Sequence, residues 1–215
     1  LDPTNCPGLM RLSVDMCPIE SLDVTQNTEL VVLNIEDTKI TTIDLTHCSK
    51  LQQLYARHES GWVNRAYKMT NLDLSGNPEL TYLTAGGNLL TSIDLAPCPK
   101  LSYVILSNNL LSAIDISNNP LISTLNLSDN NMSFATLPLP SKNFYEYTYK
   151  QRALPTERSY AEGTVLDFSD KVLREGSATT CTLYSYNVAG DVYTPLNNSY
   201  FSYADGRVTL LKAHR

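Results

Sequence analysis

The stretch "LTYLTAGGNLLTSIDLAPCPK" (residues 80–100) is followed at once by "LSYVILSNNLLSAIDISNNPL" (residues 101–121), and the two align position for position. Each places apolar residues at positions one, four and six, Asn at nine and Leu at eleven, then ends on a second apolar triad with Asp in its middle. Extending the register in both directions gives unit starts at Leu9, Leu30, Leu51, Leu80, Leu101 and Ile122, spaced 21, 21, 29, 21 and 21 residues apart. The third unit therefore carries an eight-residue insertion. Positions four and six read Leu12/Val14, Leu33/Ile35, Leu54/Ala56, Leu83/Ala85, Val104/Leu106 and Leu125/Leu127. The Asp triads are Leu22-Asp23-Val24, Ile43-Asp44-Leu45, Leu72-Asp73-Leu74, Ile93-Asp94-Leu95 and Ile114-Asp115-Ile116.

Alternation of this kind turns two apolar side chains to one face and the residue between them to the other. Two such segments per 21 residues leave corners too short for a useful helix. Each unit thus reads as strand, corner, strand, corner, and a coil of that size buries its apolar face only against its neighbours. A mostly β solenoid of about six coils is predicted, with strands on the concave and convex sides.

Six copies of L-x-x-L-x-L-x-x-N-x-L in register resemble the leucine-rich repeat. The 21-residue form, covering residues 1–133, is similar to the repeats of bacterial surface and secreted leucine-rich-repeat proteins of the internalin-like kind. The resemblance implies a right-handed solenoid, and concave-face residues that meet a partner.

Position nine lies at the sharp corner after the concave strand, where an amide side chain can satisfy stranded backbone groups. Asn88, Asn109 and Asn130 occupy it, and Cys17, Thr38 and Glu59 replace them in earlier units. A second column, three residues before each start, alternates strictly: Cys6, Asn27, Cys48, Asn77, Cys98, Asn119. These cysteines read as compact buried residues filling an asparagine site. With coils about 4.8 Å apart, same-column thiols two coils apart lie beyond the roughly 7 Å Cα separation that a disulfide tolerates. Free thiols are expected, and no short Cys or His spacing suggests zinc.

The outward Asp2, Asp23, Asp44, Asp73, Asp94 and Asp115 form a convex acidic column. Hydrogen bonding from nearby amides and from Ser92, Asn71 and Ser75 is the expected role. Calcium is not expected, because the Gly-rich nonapeptides of known calcium-binding repeats are missing.

The concave columns read Arg11, Val32, Gln53, Tyr82, Tyr103, Thr124; then Ser13, Asn34, Tyr55, Thr84, Ile105, Asn126; then Asp15, Glu36, Arg57, Gly86, Ser107, Ser128. Tyr55, Tyr82 and Tyr103 gather near the middle, and tyrosine offers contact area with a polar tip. The insertion falls within "RHESGWVNRAYKMTN" (residues 57–71) and holds Arg57, His58, Trp62, Arg65, Tyr67 and Lys68. Exposed aromatic and Arg side chains are common interface anchors. Tyr55, Arg57, His58, Trp62, Arg65, Tyr67, Tyr82 and Tyr103 are the candidate partner-binding residues.

Repeat character ends near Pro138 and Pro140, and Tyr-rich, β-prone segments follow. A leucine-rich-repeat domain over 1–138 and a C-terminal β module over 139–215 are expected. The segments "GTVLDFS", "TTCTLYSYN" and "YADGRVTLL" resemble the Ig-like module that follows such repeats in bacterial surface proteins. The chain begins in mid-repeat and stops just after a strand, so the sandwich is expected to be incomplete and the chain to be a piece of a longer protein.

A formal charge of −6 speaks against a nucleic-acid surface, which would need a basic face. No run of 18 apolar residues spans a membrane. Nucleophile-elbow, P-loop, dinucleotide and zinc-protease motifs are all missing, and His47, His58 and His214 are scattered. The expectation is a non-enzymatic recognition or adhesion module, without cofactor or metal, at the surface of a bacterium or outside it. It binds a protein through the concave face and the 57–71 loop. Glycan or cell-wall binding, or a spacer role in a larger surface enzyme, are the alternatives. Asn126, Asn131 and Asn197 would be glycan acceptors only in a eukaryotic secretory route.

Overall fold

The computed structural model describes residues 2–58, 65–132 and 138, together with the backbone of six strands farther along the chain. The chain divides into two compact units, Leu1–Arg152 and Ala153–Arg215. The expected boundary at 138/139 falls in a stretch that lies almost wholly outside the described residues.

In the first unit, seven three-residue strands form one parallel sheet in chain order. They are β1 (Arg11–Ser13), β2 (Val32–Asn34), β3 (Gln53–Tyr55), β4 (Tyr82–Thr84), β5 (Tyr103–Ile105), β6 (Thr124–Asn126) and β7 (Glu146–Thr148). The first six occupy positions three to five of the six repeats, with Leu12, Leu33, Leu54, Leu83, Val104 and Leu125 in register across the sheet. Each of these leucine-type residues points inward, and from Leu33 onward all are fully buried. About five turns of solenoid therefore separate β1 from β6.

The Asp triads are not strands. Among the described residues, 22–24, 43–45, 72–74, 93–95 and 114–116 form no ladder, which corrects the expectation of strands on both sides. In-out-in alternation requires only an extended backbone, whereas a ladder also needs amides and carbonyls aimed at the next coil. Here those groups are used within the coil. Asp Oδ1 accepts the amide of the residue two positions on, at 2.8–3.0 Å from Thr4, Thr25, Thr46, Ser75, Ala96 and Ser117. The carbonyl ending each triad then closes a turn, as when Asn27 N–H donates to Val24 O at 2.9 Å and Cys48 N–H to Leu45 O at 2.9 Å. The hydroxyls of Thr4, Thr25 and Thr46 add a second donor at 2.6–2.7 Å. These bonds hold the exposed Asp2, Asp23, Asp44, Asp73 and Asp115 carboxyls below their ordinary range. The partners follow the aspartate rather than precede it, so of the three residues expected from the sequence only Ser75 takes part.

Coils are joined on that side by side chains. Asn27 Nδ2 donates to Pro3 O and Cys6 O (2.9 and 2.8 Å), Asn77 Nδ2 to Leu45 O and Cys48 O (both 3.0 Å), and Asn119 Nδ2 to Leu95 O and Cys98 O (2.9 and 2.8 Å). Cys48 Sγ faces the equivalent carbonyls, Val24 O at 3.7 Å and Asn27 O at 4.0 Å, and Cys98 Sγ faces Leu74 O at 3.7 Å. Cys48 and Cys98 are buried; Cys6, in the first coil, is exposed, unlike the other two. The four described cysteines are free thiols.

The same two-coil rhythm sets the surface charges. Lys50 Nζ pairs with Glu29 at 2.6 Å, and Lys100 Nζ with Glu79 at 2.6 Å, each reaching back 21 residues. Between the pairs, a Cβ on Gly76 would strike the backbone of Thr46, so only glycine lets the inserted coil close down there.

The corner asparagines tie their own coil to the one before. Asn109 Nδ2 donates to Leu106 O (3.0 Å) and to Ala85 O of the preceding coil (2.9 Å), while its Oδ1 accepts Leu90 N–H (3.0 Å). Asn88 and Asn130 repeat the arrangement. Thr38, standing in for asparagine, bonds within its own coil, donating to Ile35 O at 2.9 Å and accepting Ile40 N–H at 3.4 Å.

In the second unit, β9 (Tyr184–Asn187) pairs antiparallel with β10 (Val192–Pro195), and β12 (Arg207–Leu210) pairs antiparallel with β11 (Phe201–Ala204) and β8 (Val165–Asp167). β8, β9 and β12 fall in the segments "GTVLDFS", "TTCTLYSYN" and "YADGRVTLL".

Candidate functional site

Side chains at positions three, five and seven of each repeat stand on the outer face of the parallel sheet. The β3–β4–β5 pairing puts Gln53, Tyr82 and Tyr103 side by side. The rings of Tyr82 and Tyr103 stack with centroids 4.4 Å apart and planes 2° from parallel. Tyr55, two residues beyond Gln53 and so on the same face, leans onto Tyr82 at 5.0 Å and 37°. Its hydroxyl donates to Gln53 Oε1 at 3.3 Å. Stacking at strand spacing follows from register alone, because in-line neighbours lie about 4.8 Å apart.

Glu36 completes the centre. It leaves coil two, crosses coil three, and accepts the Thr84 hydroxyl at 3.4 Å, 48 residues along the chain. Burial pushes its carboxyl above the ordinary range, partly offset by nearby Arg57 and the Thr84 bond. Burial, with the neighbouring Tyr103 next, pushes the Tyr82 phenol up to about 12. Thr84 is itself buried, at 6 % exposure, although it belongs to an outward-facing column. Tyr55, Tyr82, Tyr103 and Glu36 remain partly exposed, and Arg57 is exposed.

The corner after β3 departs from its neighbours. At position eight, Met16, Asp37, Asn108 and Asp129 have φ of 52–59° and Gly87 has φ 73°, a left-handed step that turns the chain inward. His58 keeps the amide bond to the next coil, donating to Gly86 O at 2.9 Å, but not the left-handed backbone. Its ring turns into the corner instead: His58 is 2 % exposed, and neither ring nitrogen has a hydrogen-bond partner of good geometry among the described residues. Burial draws its pKa below the ordinary value, with Asp37 and Ile40's backbone opposing and Lys68 reinforcing. His58 thus lines the interior and offers no outward surface.

Trp62 lies outside the described residues. Arg65–Tyr67 forms one 3-10 turn as the insertion returns. Tyr67 is half-buried, with Lys39 Nζ 4.9 Å from its ring centroid and Glu20 3.6 Å from the same ammonium. Lys68 Nζ donates to Gly87 O at 2.5 Å, and Met69 N–H to Asn88 Oδ1 at 3.0 Å, rejoining the repeat. The structure therefore gathers Tyr55, Tyr82 and Tyr103 beside Arg57 and sets Tyr67 against a separate lysine. Glu36, Gln53 and Thr84 belong to the centre but were not among the candidates. Glu36 could have been found by asking which acid sits one coil before Arg57 in the same column.

Searched for its fold, the chain superimposes on several solved solenoids. The functional domain of InlJ from Listeria monocytogenes, described as including a cysteine ladder, aligns over 99 % of this chain and 44 % of its own, with TM-score 0.62 and 22 % identity. An internalin (inlF) from Listeria monocytogenes aligns over 71 % of this chain and 45 % of its own, with TM-score 0.55 and 18 % identity. The leucine-rich-repeat protein LIC12759 of Leptospira interrogans aligns over 60 % and 33 %, with TM-score 0.50 and 19 % identity. The fold is a leucine-rich-repeat solenoid. The chain spans less than half the length of each of these three structures. No protein-family model and no curated protein matches the chain. Among the described residues, no helix is long and apolar enough to cross a membrane.

Proposed function

We propose that this chain is a non-enzymatic recognition module of a bacterial surface or secreted protein, binding another protein through the strand face centred on Tyr55, Tyr82 and Tyr103. The observation that carries this reading is the tyrosine stack itself. Three partly exposed rings in contact, on a sheet whose backbone is fixed by six in-register strands, give a rigid aromatic patch. Such a patch loses little conformational entropy on association, and Tyr is enriched among the residues that dominate binding energy. In this reading the 57–71 insertion is a second contact at the edge of the face, and residues 139–215 form an Ig-like support. The leucine-rich-repeat fold shared with internalins supports the assignment.

A photo-crosslinking residue placed at Tyr103, against a control at the exposed Asp94, tests it in cells of the source organism. The expected outcome is a polypeptide adduct at Tyr103 only, lost in Tyr82→Ala. Adducts that form equally at both positions, or only to glycan, would overturn the proposal.

A further inference from the structure

Resting on that reading, we infer that the centre of the strand face receives one cationic side chain of the partner, an arginine, between the Glu36 carboxylate and the tyrosine rings. Glu36 is drawn across a whole coil to the middle of the face, where its only hydrogen bond from a side chain among the described residues is the long one from Thr84. A carboxylate offers about four lone-pair sites. Most of its capacity is thus open in a half-buried setting, where a charge-assisted, two-pronged bond is stronger than at an open surface. Arg57 lies near enough to favour the charged form, but Asp15 and Asp37 press from the other side. Coils four to six add no charged residue to the three outward columns.

The rings select which cation fits. Tyr55, Tyr82 and Tyr103 form an aromatic wall beside the carboxylate, and a planar guanidinium lies flat on such a ring while its edge donates to an acid. An ammonium can do only one of these well.

The test is an amide-resolved NMR titration of the full chain with N-acetyl-arginine methylamide, its uncharged citrulline counterpart and the lysine analogue. Saturable shifts at Tyr55, Tyr82 and Thr84 are expected with arginine, weakened at least about tenfold in Glu36→Gln and absent with citrulline. The spectrum itself reports whether the variant is folded. Citrulline or lysine binding as tightly as arginine, shifts confined to other coils, or indifference to Glu36→Gln would each refute the inference. If the Tyr103 crosslink to a polypeptide survives in Glu36→Gln while arginine shows no shifts, the recognition reading stands and only the arginine assignment fails.

Discussion

The side-chain amide of Asn77 donates to the carbonyl of Cys48, one coil below, at 3.0 Å. Asn77 also reaches Leu45 O, and Cys48 Sγ faces the same pair of carbonyls one coil further down. Asparagine and cysteine therefore fill one position in the coil with nearly equal volumes, one as a strong donor and the other as a weak one. Removing the donor in Asn77→Ala should cost about 1–3 kcal/mol. Cys48→Asn should change stability by less than about 1 kcal/mol, since the two donor bonds that an asparagine makes there offset the buried Oδ1 it leaves unbonded. Urea denaturation of the two variants would measure both.

Thiol chemistry should divide the cysteines. Burial pushes the Cys48 and Cys98 thiols up to about 11, while Cys6 and Cys17 are exposed. Thiolate is the reactive form. Iodoacetamide at neutral pH should label Cys6 and Cys17 in the folded protein, and Cys48 and Cys98 only after denaturation, as read by peptide mass spectrometry.

Acid sensitivity should begin with His58. Its folded pKa lies below the ordinary 6.5, so the unfolded chain takes up the proton first as pH falls. Stability is then fully present above pH 6.5 and declines from there down to the lowered folded value. His58→Phe should flatten the melting temperature between pH 7.5 and 5.5 relative to the parent protein. The aspartate column acts lower: its folded pKa values lie below 3.8, so its contribution is lost only as pH falls under that value.

Gly76→Ala should destabilise by about 1–3 kcal/mol, because the added methyl meets backbone that cannot rotate away. Thermal melts should show it, while Gly8→Ala, whose Cβ meets nothing within 4 Å, serves as the neutral comparison.

The strand face was legible because its cause is local and repeated. A buried residue recurring every 21 positions, at Leu33 and Leu54 and again, past the insertion, at Leu83 and Val104, fixes the register, and register stacks Tyr82 on Tyr103. The Asp triads misled because alternation reports which side chains face inward and is silent on whether the backbone pairs. Glu36 was overlooked because its reach to Thr84 spans two coils, a distance that no single repeat encodes. His58 was misread for a different reason. Met16, Asp37, Asn108 and Asp129 in the same column bend left-handed and keep their side chains at least partly exposed, whereas His58 does not take that step and its ring turns inward.

Alternation of Cys with Asn, and of Lys with Glu, has a consequence for how such an array can lengthen or shrink. Losing one turn would set two thiols, or two asparagines, on adjacent levels and leave an ammonium without its carboxylate. Losing two turns restores every match. The unit that repeats with no mismatch is therefore the two-turn pair rather than the single winding.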